Sequence, residues 1–406
     1  MTPPLSPRAR VGRWAVLGVN WLSRLSGRGA GTVVGGRVGL AICPDLLAQL
    51  AKGRLVILVS GTNGKTTTSA MTAAGWGSGV TSNDTGANMV PGHVAALARS
   101  NHQRVVLEVD EAWLADVVRS TTPSVVILLN LSRDQLDRAS EVRQLADRWR
   151  ECFSAPQHEH VVVAANANDP MVVFAASGAR HVRWCDVPTP WLGDAASCPR
   201  CTRPLRRDDA TWSCTCGFAV PTTITTRLAE ELEVAGERVE LALSMPGAFN
   251  EANAALAVTA LREVGVAPSD AMPRINALVG VAGRFTLRRW GNHHFRLGLA
   301  KNPAGFAAIL STVEADDGDV WIAINANTAD GRDPSWLFDV PFESLRGHVV
   351  YCFGDRRLDL ATRLDYAGVD FRVVDDPSDV PVASAPVPLL ANYTAFSEWL
   401  KESSPC

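Results

Sequence analysis

The chain has 406 residues, of which 47% are hydrophobic and 20% charged, and its formal net charge is −3. This length accommodates two or three domains, and the nearly balanced charge gives no overall attraction to nucleic acid. No apolar run reaches the roughly 18 residues that a membrane-spanning helix requires. The N-terminus lacks the apolar segment and cleavage site of a secretory signal, so we expect none.

The nine cysteines indicate the redox compartment. Their number is odd, and five of them are scattered along the chain rather than spaced as a disulfide framework. We therefore expect a reducing, cytoplasmic environment.

The first 45 residues form a basic segment, because residues 1–44 contain six arginines and no acidic residue. Apolar or small residues recur there at helical spacing, at Val11, Trp14, Gly18, Trp21, Leu22 and Leu25. This spacing predicts an amphipathic helix. Three interpretations stay open: the helix packs on the next domain, it rests on an anionic membrane surface at the inner face of the cell membrane, or the segment is a transit peptide.

From about residue 46 the chain alternates short apolar runs with helical stretches. Runs without polar alternation are typical of parallel strands covered on both faces, and they lie at Leu55–Ser60, Val105–Val109, Val125–Leu131 and Val161–Ala165. We predict a doubly wound α/β domain over residues 46–290, with ligands at the carboxyl ends of its strands. Residues 188–222 interrupt the pattern as an insertion, and helical periodicity returns at Asn250–Gly265.

A second α/β domain is predicted after the turn at Gly280–Phe285. Its apolar runs are Phe295–Ala300, Trp321–Asn325, Val349–Phe353, Phe371–Val374 and Leu389–Tyr393. Strands alternating with helical stretches again indicate a wound sheet. We therefore assign residues 291–406 to a Rossmann-like C-terminal domain.

The stretch "SGTNGKTTT" follows the first predicted strand and precedes a helical pattern. Gly61 and Gly64 permit a turn whose backbone N–H groups, with those of the helix N-terminus, point at one anion. Lys65 would reach the β- and γ-phosphates of a nucleotide, and the Thr66 hydroxyl would coordinate Mg²⁺. Val59 replaces the first glycine of a full Walker A signature, and a chance glycine turn is the alternative.

The next predicted strand ends in "LEVDE", which offers Glu108, Asp110 and Glu111. Magnesium bound to phosphates usually takes at least one protein carboxylate as well. We favour Glu108 because it belongs to the strand itself and alternate residues of a strand point to one face. The alternative is that all three are surface charges at a strand end.

Four cysteines within the insertion have metal-ligand spacing. Cys198 and Cys201 form a C-x-x-C pair, and Cys214 and Cys216 form a C-x-C pair twelve residues later. Two close pairs of thiolates predict a zinc ribbon with a structural Cys₄ Zn²⁺ site, and free or redox-active thiols are the alternative. Arginines around the cluster, partly matched by Asp208 and Asp209, predict a solvated face rather than a nucleic-acid surface.

The order of these motifs resembles the central domain of the Mur ligases, the ATP-dependent amide-bond-forming enzymes of peptidoglycan synthesis. The family's phosphate loop also lacks the first Walker glycine. The matching stretches are "SGTNGKTTT", "LEVDE", "NLSRDQLDR", "ANANDP", "PGAFNEANAALA" and the "GR" at Gly283–Arg284. Two departures stand out: Gln135 replaces a metal-binding histidine of the family, and the family's uridine-nucleotide-binding first domain does not precede the loop.

The resemblance implies roles for individual residues. The nucleotide would be held by Gly61, Thr62, Asn63, Gly64, Lys65, Thr66 and Thr67. Lys65 and Thr66 would serve the γ-phosphate and Mg²⁺, and Glu108 would bind Mg²⁺. Asn253 would contact the adenine and Arg284 the phosphates.

Two polar segments at predicted strand ends, "LAKNPAGF" and "INANTADGRDPSWLFDVPFE", extend the resemblance to one branch of the family. This is the MurT-type subunit of lipid II isoglutaminyl synthase. It implies ATP-dependent amidation of the D-glutamate α-carboxylate of lipid II, with ammonia from a GatD-type glutaminase partner. It also implies that Asp333 completes the partner's Cys–His pair, and that Lys301–Gly305 contacts nucleotide or acyl phosphate.

Other interpretations predict different behaviour. Asp330, Asp333 and Asp339 could instead cap turns or helices. The whole chain could be an amino-acid-adding Mur or folate-type ligase, or a zinc-ribbon ATPase that binds nucleic acid, which the net charge of −3 disfavours. Co-purification of a glutaminase would distinguish the MurT-type hypothesis from these two alternatives.

Overall fold

The computed structural model describes residues 3–25, 32–83, 86–133, 142–189, 191, 193–208, 211–313 and 318–406. The chain divides into two compact units. The first unit comprises Met1–Leu131, Val142–Leu243 and Asn250–Leu278. The second comprises Ser132–Glu141, Ser244–Phe249 and Val279–Cys406. Gln135, Arg138 and Asp209, which the sequence analysis considers, lie outside the described residues.

Helices and strands alternate through most of the described chain. The α-helices are α1 (Pro7–Leu25), α2 (Thr32–Ile42), α3 (Leu46–Ala51), α4 (Lys65–Trp76), α5 (Val90–Ala98), α6 (Leu114–Thr121), α7 (Val142–Ser154), α8 (Pro170–Ala176), α9 (Ala248–Glu263), α10 (Pro268–Asn276), α11 (Pro303–Leu310), α12 (Arg357–Ala367) and α13 (Tyr393–Glu402). The strands are β1 (Leu55–Ser60), β2 (Val80–Ser82), β3 (Arg104–Glu108), β4 (Val125–Leu128), β5 (Val162–Asn166), β6 (His181–Asp186), β7 (Arg206–Asp208), β8 (Thr211–Ser213), β9 (Thr226–Leu228), β10 (Leu232–Val234), β11 (Glu237–Val239), β12 (Leu287–Trp290), β13 (His293–Leu299), β14 (Val320–Ala323), β15 (Val349–Phe353), β16 (Asp370–Val373), β17 (Val387–Ala391) and β18 (Ser404–Pro405).

The first unit is built on a nine-stranded sheet in the order β11-β10-β9-β6-β5-β4-β1-β3-β2. The seven neighbouring strands β9-β6-β5-β4-β1-β3-β2 pair in parallel, as the uninterrupted apolar runs predict. The four predicted strands are confirmed, although the third ends at Leu128 rather than Leu131. The sheet is mixed rather than wholly parallel, because β10 and β11 add an antiparallel hairpin at one edge.

Helices cover the central strands, which are therefore apolar on both faces. The inner residues of β1 and β4 are buried throughout. Trp149 of α7 is also buried, and its indole N–H donates to the carbonyl oxygen of Glu111 at 3.0 Å. This hydrogen bond ties a covering helix to the loop after β3, where polar residues gather.

The N-terminal helix α1 packs through the face opposite to its large apolar residues. Ala9, Gly12, Val16 and Asn20 are buried, whereas the apolar residues that predicted the helix are exposed. The α1–α2 contact is close because α2 presents glycines: a Cβ atom at Gly35 would overlap the Asn20 amide. The helix is confirmed, and it packs on the first unit, because buried Ala9 and Val16 belong to the core there. Its large apolar residues lie outside that contact.

In the part of the chain that the structure describes, every helix is too short or too polar to cross a membrane.

The second unit contains a seven-stranded sheet in the order β16-β15-β14-β17-β13-β12-β18. Its five neighbouring strands from β16 to β13 are parallel and correspond to the five predicted strands within two residues at each end. Antiparallel β12 and β18 extend one edge. Trp321, Phe295 and Trp399 meet in the core on one face, with ring centroids 5.4–6.3 Å apart.

Candidate functional site

The loop between β1 and α4 has the geometry of an anion-binding turn. Gly61 and Gly64 have φ angles of 146° and 87°, in the region that side chains other than glycine rarely adopt. A Cβ atom at Gly61 would lie 2.8 Å from the Cβ atom of Leu129, so the turn also needs glycine for space. The N-terminus of α4 begins at Lys65, and its helix dipole favours negative charge there.

Asn130, which follows β4, holds this turn in place. Its backbone carbonyl accepts from the N–H of Thr62 at 3.0 Å, and its side-chain Oδ1 accepts from the N–H of Asn63 at 2.9 Å. Its Nδ2 donates to the Asn63 carbonyl at 3.1 Å. In the sequence, Asn130 is recognisable only as the first residue of "NLSRDQLDR". Its position at the end of the strand beside β1 was the signal available for a loop-holding role.

Lys65 forms a buried ion pair with Glu111. The two charged groups lie 2.8 Å apart, and their side chains are 7% and 10% exposed. The Lys65 ammonium also donates to the carbonyl oxygens of Gly61 at 2.6 Å and Thr62 at 3.2 Å. Sequence spacing favours Glu108 as the magnesium ligand and gives no sign that Glu111 pairs with the loop lysine.

Glu108 ends β3 beside the turn and is buried. In the sheet it pairs with Val59, two residues before Gly61. Its N–H donates to Asn83 Oδ1 at 2.8 Å, and its carbonyl accepts from Asn83 Nδ2 at 2.9 Å. His93 Nε2 lies 2.8 Å from the same carbonyl oxygen. Burial lowers the pKa of His93 to about 4, so a neutral imidazole donates this hydrogen bond.

The carboxylate of Glu111 contacts Lys65 of the turn, and Glu108 lies on the strand that pairs with β1 just before the turn. Backbone donors and the Thr66 hydroxyl belong to the same turn. Such a donor set fits a nucleotide phosphate together with Mg²⁺, which prefers oxygen ligands. Asn83 and His93 fix the backbone of Glu108, and nothing in their sequence context marked them beforehand.

Asp169 connects the same strand ends to α8. Its Oδ1 caps the helix by accepting from the N–H groups of Met171 at 2.8 Å and Val172 at 3.1 Å. Its Oδ2 accepts from the N–H of Leu131 at 2.8 Å. Leu131 follows Asn130, so the carboxylate supports the residue that holds the phosphate turn. Burial raises the pKa of Asp169 to about 6, although these hydrogen bonds lower it.

We expect Asp169 to make stability depend on pH between about 4 and 6. The pKa is higher in the folded chain than the unfolded value of about 3.9, so the folded state retains a proton longer. Its contribution is therefore fully present below about pH 4 and is lost as the pH rises through about 6, by at most about 3 kcal/mol. Thermal unfolding across this range should show a flatter pH profile for Asp169→Asn than for wild type. The exposed Asp116→Asn variant is the control. Parallel wild-type and Asp169→Asn profiles would contradict the prediction.

Asn253 and Arg284 occupy different surroundings. Asn253 lies on α9, and a Cβ atom at Gly64 would be 2.7 Å from its Oδ1, so its side chain lies against the phosphate turn. Thr67 is buried in the first turn of α4 and Thr66 is half-buried. Arg284 belongs to the second unit, where it forms an isolated antiparallel bridge with Val281.

The four cysteines of the insertion come together around one point. The Sγ atoms of Cys198, Cys201, Cys214 and Cys216 all lie within 4.8 Å of one another. The Cys198–Cys216 and Cys201–Cys214 sulfur distances are 3.7 Å and 3.4 Å. Zn–S bonds of about 2.3 Å in a tetrahedron place sulfurs about 3.8 Å apart. The cluster therefore fits a four-coordinate metal ion.

The hairpin of β7 and β8 and the cysteine cluster dock on α8 through aromatic rings. Phe218 meets Phe174 of α8 edge to face at 6.5 Å and Trp212 at 4.9 Å. Arg200 lies 4.7 Å from the centre of the Phe218 ring, and Arg207 donates to the Ala195 carbonyl at 2.6 Å. Arg200, Arg203 and Arg206 are exposed, in agreement with the predicted solvated face, whereas Arg207 is half-buried.

In the second unit, the three aspartates considered as capping or catalytic residues have distinct environments. Asp330 is buried and accepts from the N–H of Thr394 at 2.8 Å, so the capping interpretation is confirmed for it. Asp339 pairs with Arg133 at 3.2 Å on the surface. Asp333 is exposed, and its Oδ1 accepts from the N–H of Ser335 at 2.9 Å. This hydrogen bond lowers the pKa of Asp333 and keeps the carboxylate ionised.

The segment Lys301–Gly305 begins α11. Asn302 is buried, and its Oδ1 accepts from the N–H of Gly305 at 2.7 Å, as an N-cap residue does. Asn302 therefore caps the N-terminus of α11.

Comparisons with known proteins agree with this arrangement. The Mur ligase middle domain family matches residues 59–186, and the MurT ligase C-terminal family matches residues 299–396. The lipid II isoglutaminyl synthase (glutamine-hydrolyzing) subunit MurT of Staphylococcus aureus (strain COL) is 28% identical over 96% of this chain and 97% of that protein. The corresponding subunit of Streptococcus pneumoniae is 26% identical over 93% of each.

Amino-acid-adding relatives match less of the chain. The UDP-N-acetylmuramoylalanine–D-glutamate ligase of Caulobacter vibrioides is 27% identical over 63% of this chain and 50% of that protein. Among solved structures, MurF from Acinetobacter baumannii superposes with a TM-score of 0.65 at 15% identity, covering 90% of this chain and 79% of that chain. A pseudomurein peptide ligase type C from Methanothermus fervidus gives 0.64 at 18%, covering 86% and 78%.

The two matched families, together with curated relatives that span nearly the whole chain, support membership of the Mur ligase family, whose members are ATP-dependent ligases. Matches to MurT subunits extend over both units, and residues 299–396 match the MurT C-terminal family. Within the Mur ligases the chain is therefore a MurT-type member.

Proposed function

We propose that this chain is the ligase subunit of a lipid II isoglutaminyl synthase. It uses ATP to convert the α-carboxylate of D-glutamate in the lipid II stem peptide to an acyl phosphate. Ammonia then displaces the phosphate and leaves D-isoglutamine. The observation that carries the proposal is the match to MurT subunits over 96% of this chain and 97% of the relative.

The geometry supports the activation step. A carboxylate is a poor electrophile until it is phosphorylated, and phosphoryl transfer is catalysed mainly by positioning and charge stabilisation. The turn residues Gly61–Thr67 hold the nucleotide phosphates, and Lys65 contacts the transferred group. Thr66 and Glu108 hold Mg²⁺, which neutralises phosphate charge when bound. Asn253 and Arg284 contact adenine and phosphates respectively.

The alternatives have less support. An amino-acid-adding relative shares only 50% of its own length with this chain, whereas the MurT relative shares 97%. A nucleic-acid-binding ATPase would need an excess of positive charge to attract phosphate groups, yet the formal net charge of the chain is −3.

The ammonia is proposed to come from a partner subunit, a glutaminase of the GatD type. Glutamine hydrolysis needs a reactive cysteine beside a histidine. Cys152 Sγ lies 3.7 Å from His158 Nδ1, but both residues are buried, and burial raises the pKa of Cys152 to about 11. That thiol is therefore a poor nucleophile. We propose that the exposed Asp333 instead completes the active site of the partner.

Further proposals follow from the same assignment. Residues 46–290 form the ATP-binding domain, with the zinc ribbon at 188–222, and residues 291–406 form the Rossmann-like domain after the N-terminal segment of 45 residues. One structural Zn²⁺ is held by the four cysteines. The protein works in the cytoplasm, where ATP is available, at the inner face of the membrane that carries lipid II.

The zinc proposal predicts a loss of metal and stability in the Cys198→Ser/Cys201→Ser variant. Wild-type protein should contain one zinc per chain by elemental analysis. The variant should contain none and should melt at a lower temperature, because structural zinc contributes to folding. Cys406→Ser, at an exposed cysteine outside the cluster, should keep the metal and the melting temperature. Wild-type protein that carries no zinc after metal-free purification and zinc addition would refute this proposal.

The activity is tested by incubating the chain with a GatD-type glutaminase, lipid II, ATP and glutamine. Mass spectrometry of the stem peptide should show replacement of one carboxyl group by an amide, together with release of phosphate. Ammonium salt should replace glutamine and the glutaminase. If neither nitrogen source gives amidated product while the chain remains folded, the proposed reaction is wrong.

A further inference from the structure

Helix α1 exposes a row of large apolar side chains, which we call the α1 stripe. Its members are Val11, Trp14, Trp21, Leu22 and Leu25, and they are 58%, 73%, 58%, 59% and 66% exposed. Spacings of three, four and seven residues place them on one side of a helix that turns about 100° per residue. Two largely exposed tryptophans on one helix face are unusual for a surface that contacts only water.

The opposite side of α1 packs against the rest of the first unit. Ala9, Gly12, Val16 and Asn20 are buried, and the glycines of α2 let the two helix backbones approach. Arg13 secures the pair further by donating to the carbonyl of Ala98 at 2.9 Å. The α1 stripe is therefore exposed while the helix itself is packed in place through its small residues.

Positive charge surrounds the α1 stripe. Arg10 stands four residues before Trp14, and Arg24 stands three residues after Trp21, so each arginine lies about one helical turn from a tryptophan along the helix. The outward side of α2 adds exposed Val33, Val34 and Arg37. Residues 1–44 contain no acidic residue, although the whole chain has a net charge of −3.

We propose that the α1 stripe docks the protein on an anionic lipid bilayer, with α1 lying in the plane of the headgroups. Tryptophan favours this region because its ring is apolar and its N–H is polar. Arginines beside the stripe extend to the phosphate groups while their carbon chains remain at the apolar boundary. The inference rests on the proposed function in one respect: a lipid-linked substrate gives a cytoplasmic ligase a reason to stay at the membrane.

Charge complementarity favours the bilayer over a protein occupant. A second copy of this chain, docked stripe to stripe, would bring the arginines beside one stripe against those beside the other, which is unfavourable. A bilayer rich in anionic lipid offers negative charge at the edge of an apolar layer, matching both parts of the surface. The glutaminase partner remains as an outcome that the experiment distinguishes.

Binding is measured with the full chain and with its glutaminase complex, without any activity assay. Sedimentation with vesicles of equal parts phosphatidylglycerol and phosphatidylcholine should pellet the protein, whereas pure phosphatidylcholine vesicles should pellet much less. Raising the salt concentration should weaken binding, because it screens the arginines. Absence of binding to anionic vesicles at low salt would overturn the proposal, whether or not lipid II is amidated.

The Trp14→Ser/Trp21→Ser variant should lower the vesicle partition coefficient by about tenfold or more, since it removes the two largest apolar groups of the stripe. Leu358→Ser/Tyr366→Ser removes two comparably exposed apolar side chains of the second unit and should bind as wild type. Trp14→Phe/Trp21→Phe should retain most of the binding. Lipids brominated on the acyl chains should quench less fluorescence in this variant than in wild type.

Two results would redirect the interpretation. If the serine variant loses its complex with the glutaminase on size-exclusion chromatography, the stripe is a protein interface and the membrane proposal is wrong. If the serine and control variants lose vesicle binding equally, the tryptophans do not direct it, and the proposal fails. Amidation of a substrate without its lipid chain should be unchanged in the serine variant.

Discussion

In the Lys65→Met variant, ATP turnover and amidation should fall by roughly a thousandfold or more, because a fixed positive charge at the transferred phosphate is lost. The same substitution should also destabilise the protein. Lys65 is paired at 2.8 Å with Glu111, and both side chains are nearly buried. Removing one member of a buried pair leaves the other charge uncompensated, at a cost of about 3–5 kcal/mol.

A second substitution separates these two effects. Lys65→Met/Glu111→Gln removes both charges, so its free energy of unfolding should return most of the way to wild type. Its ATP turnover should remain lost, since the lysine is still absent. Urea unfolding and phosphate release, measured on the two single variants and the double variant, complete the cycle. Wild-type-like turnover in the folded double variant would mean that Lys65 does not serve the phosphates.

The sequence predicted the phosphate turn well because its determinants are local. A strand, two glycines, Lys65 and a helix follow one another within a short stretch, and φ angles of 146° and 87° require glycine wherever the turn occurs. The four cysteines were equally accessible, because ligands in two close pairs are brought together by hairpin geometry. In both cases spacing along the chain sets spacing in three dimensions.

The partners of the phosphate turn could not be predicted in the same way. Glu111 and Asn130 come from separate strand ends, and their contacts depend on the order β4-β1-β3 in the sheet. The alternation of side chains along a strand applies to Glu108 but not to Glu111, because Glu111 lies in the helical turn Glu111–Trp113 after the strand. That turn directs Glu111 toward Lys65.

Helix α1 shows a different limit of sequence patterns. Periodicity correctly predicted an amphipathic helix, but it does not state which face packs. Packing energy usually favours burial of the large apolar residues. Here glycines on α2 allow small residues of α1 to make the contact, so Trp14 and Trp21 remain exposed.

Replacement of Asp333 by asparagine should remove glutamine-dependent amidation selectively. The proposal that motivates this change is that Asp333 orients a histidine of the glutaminase partner, as the acidic member of a catalytic triad does. Loss of the carboxylate in a triad lowers turnover by up to about 10⁴-fold, and a cysteine nucleophile depends on it less. Amidation driven by added ammonium salt should persist, because the phosphate turn of the ligase is unchanged.

The structure allows the local role of Asp333 to be separated from this proposed one. Its Oδ1 accepts from the Ser335 N–H at 2.9 Å, and asparagine retains an oxygen that can do the same. Asp333→Asn should therefore keep the loop conformation and the complex, whereas Asp333→Ala should also lose the cap. Asp339→Asn removes another exposed carboxylate of the same segment, one that pairs with Arg133, and should leave amidation from both nitrogen sources active.

The decisive comparison is the ratio of glutamine-driven to ammonia-driven rates in the Asp333→Asn complex. A triad role requires this ratio to fall steeply while size-exclusion chromatography still shows the complex. If Asp333 only caps a turn, asparagine is nearly silent and alanine lowers both rates through the fold. If both rates fall together in Asp333→Asn, the carboxylate serves the ligase reaction, and the cross-subunit triad must be abandoned. The lowered pKa of Asp333 keeps it ionised at neutral pH, so protonation does not obscure the comparison.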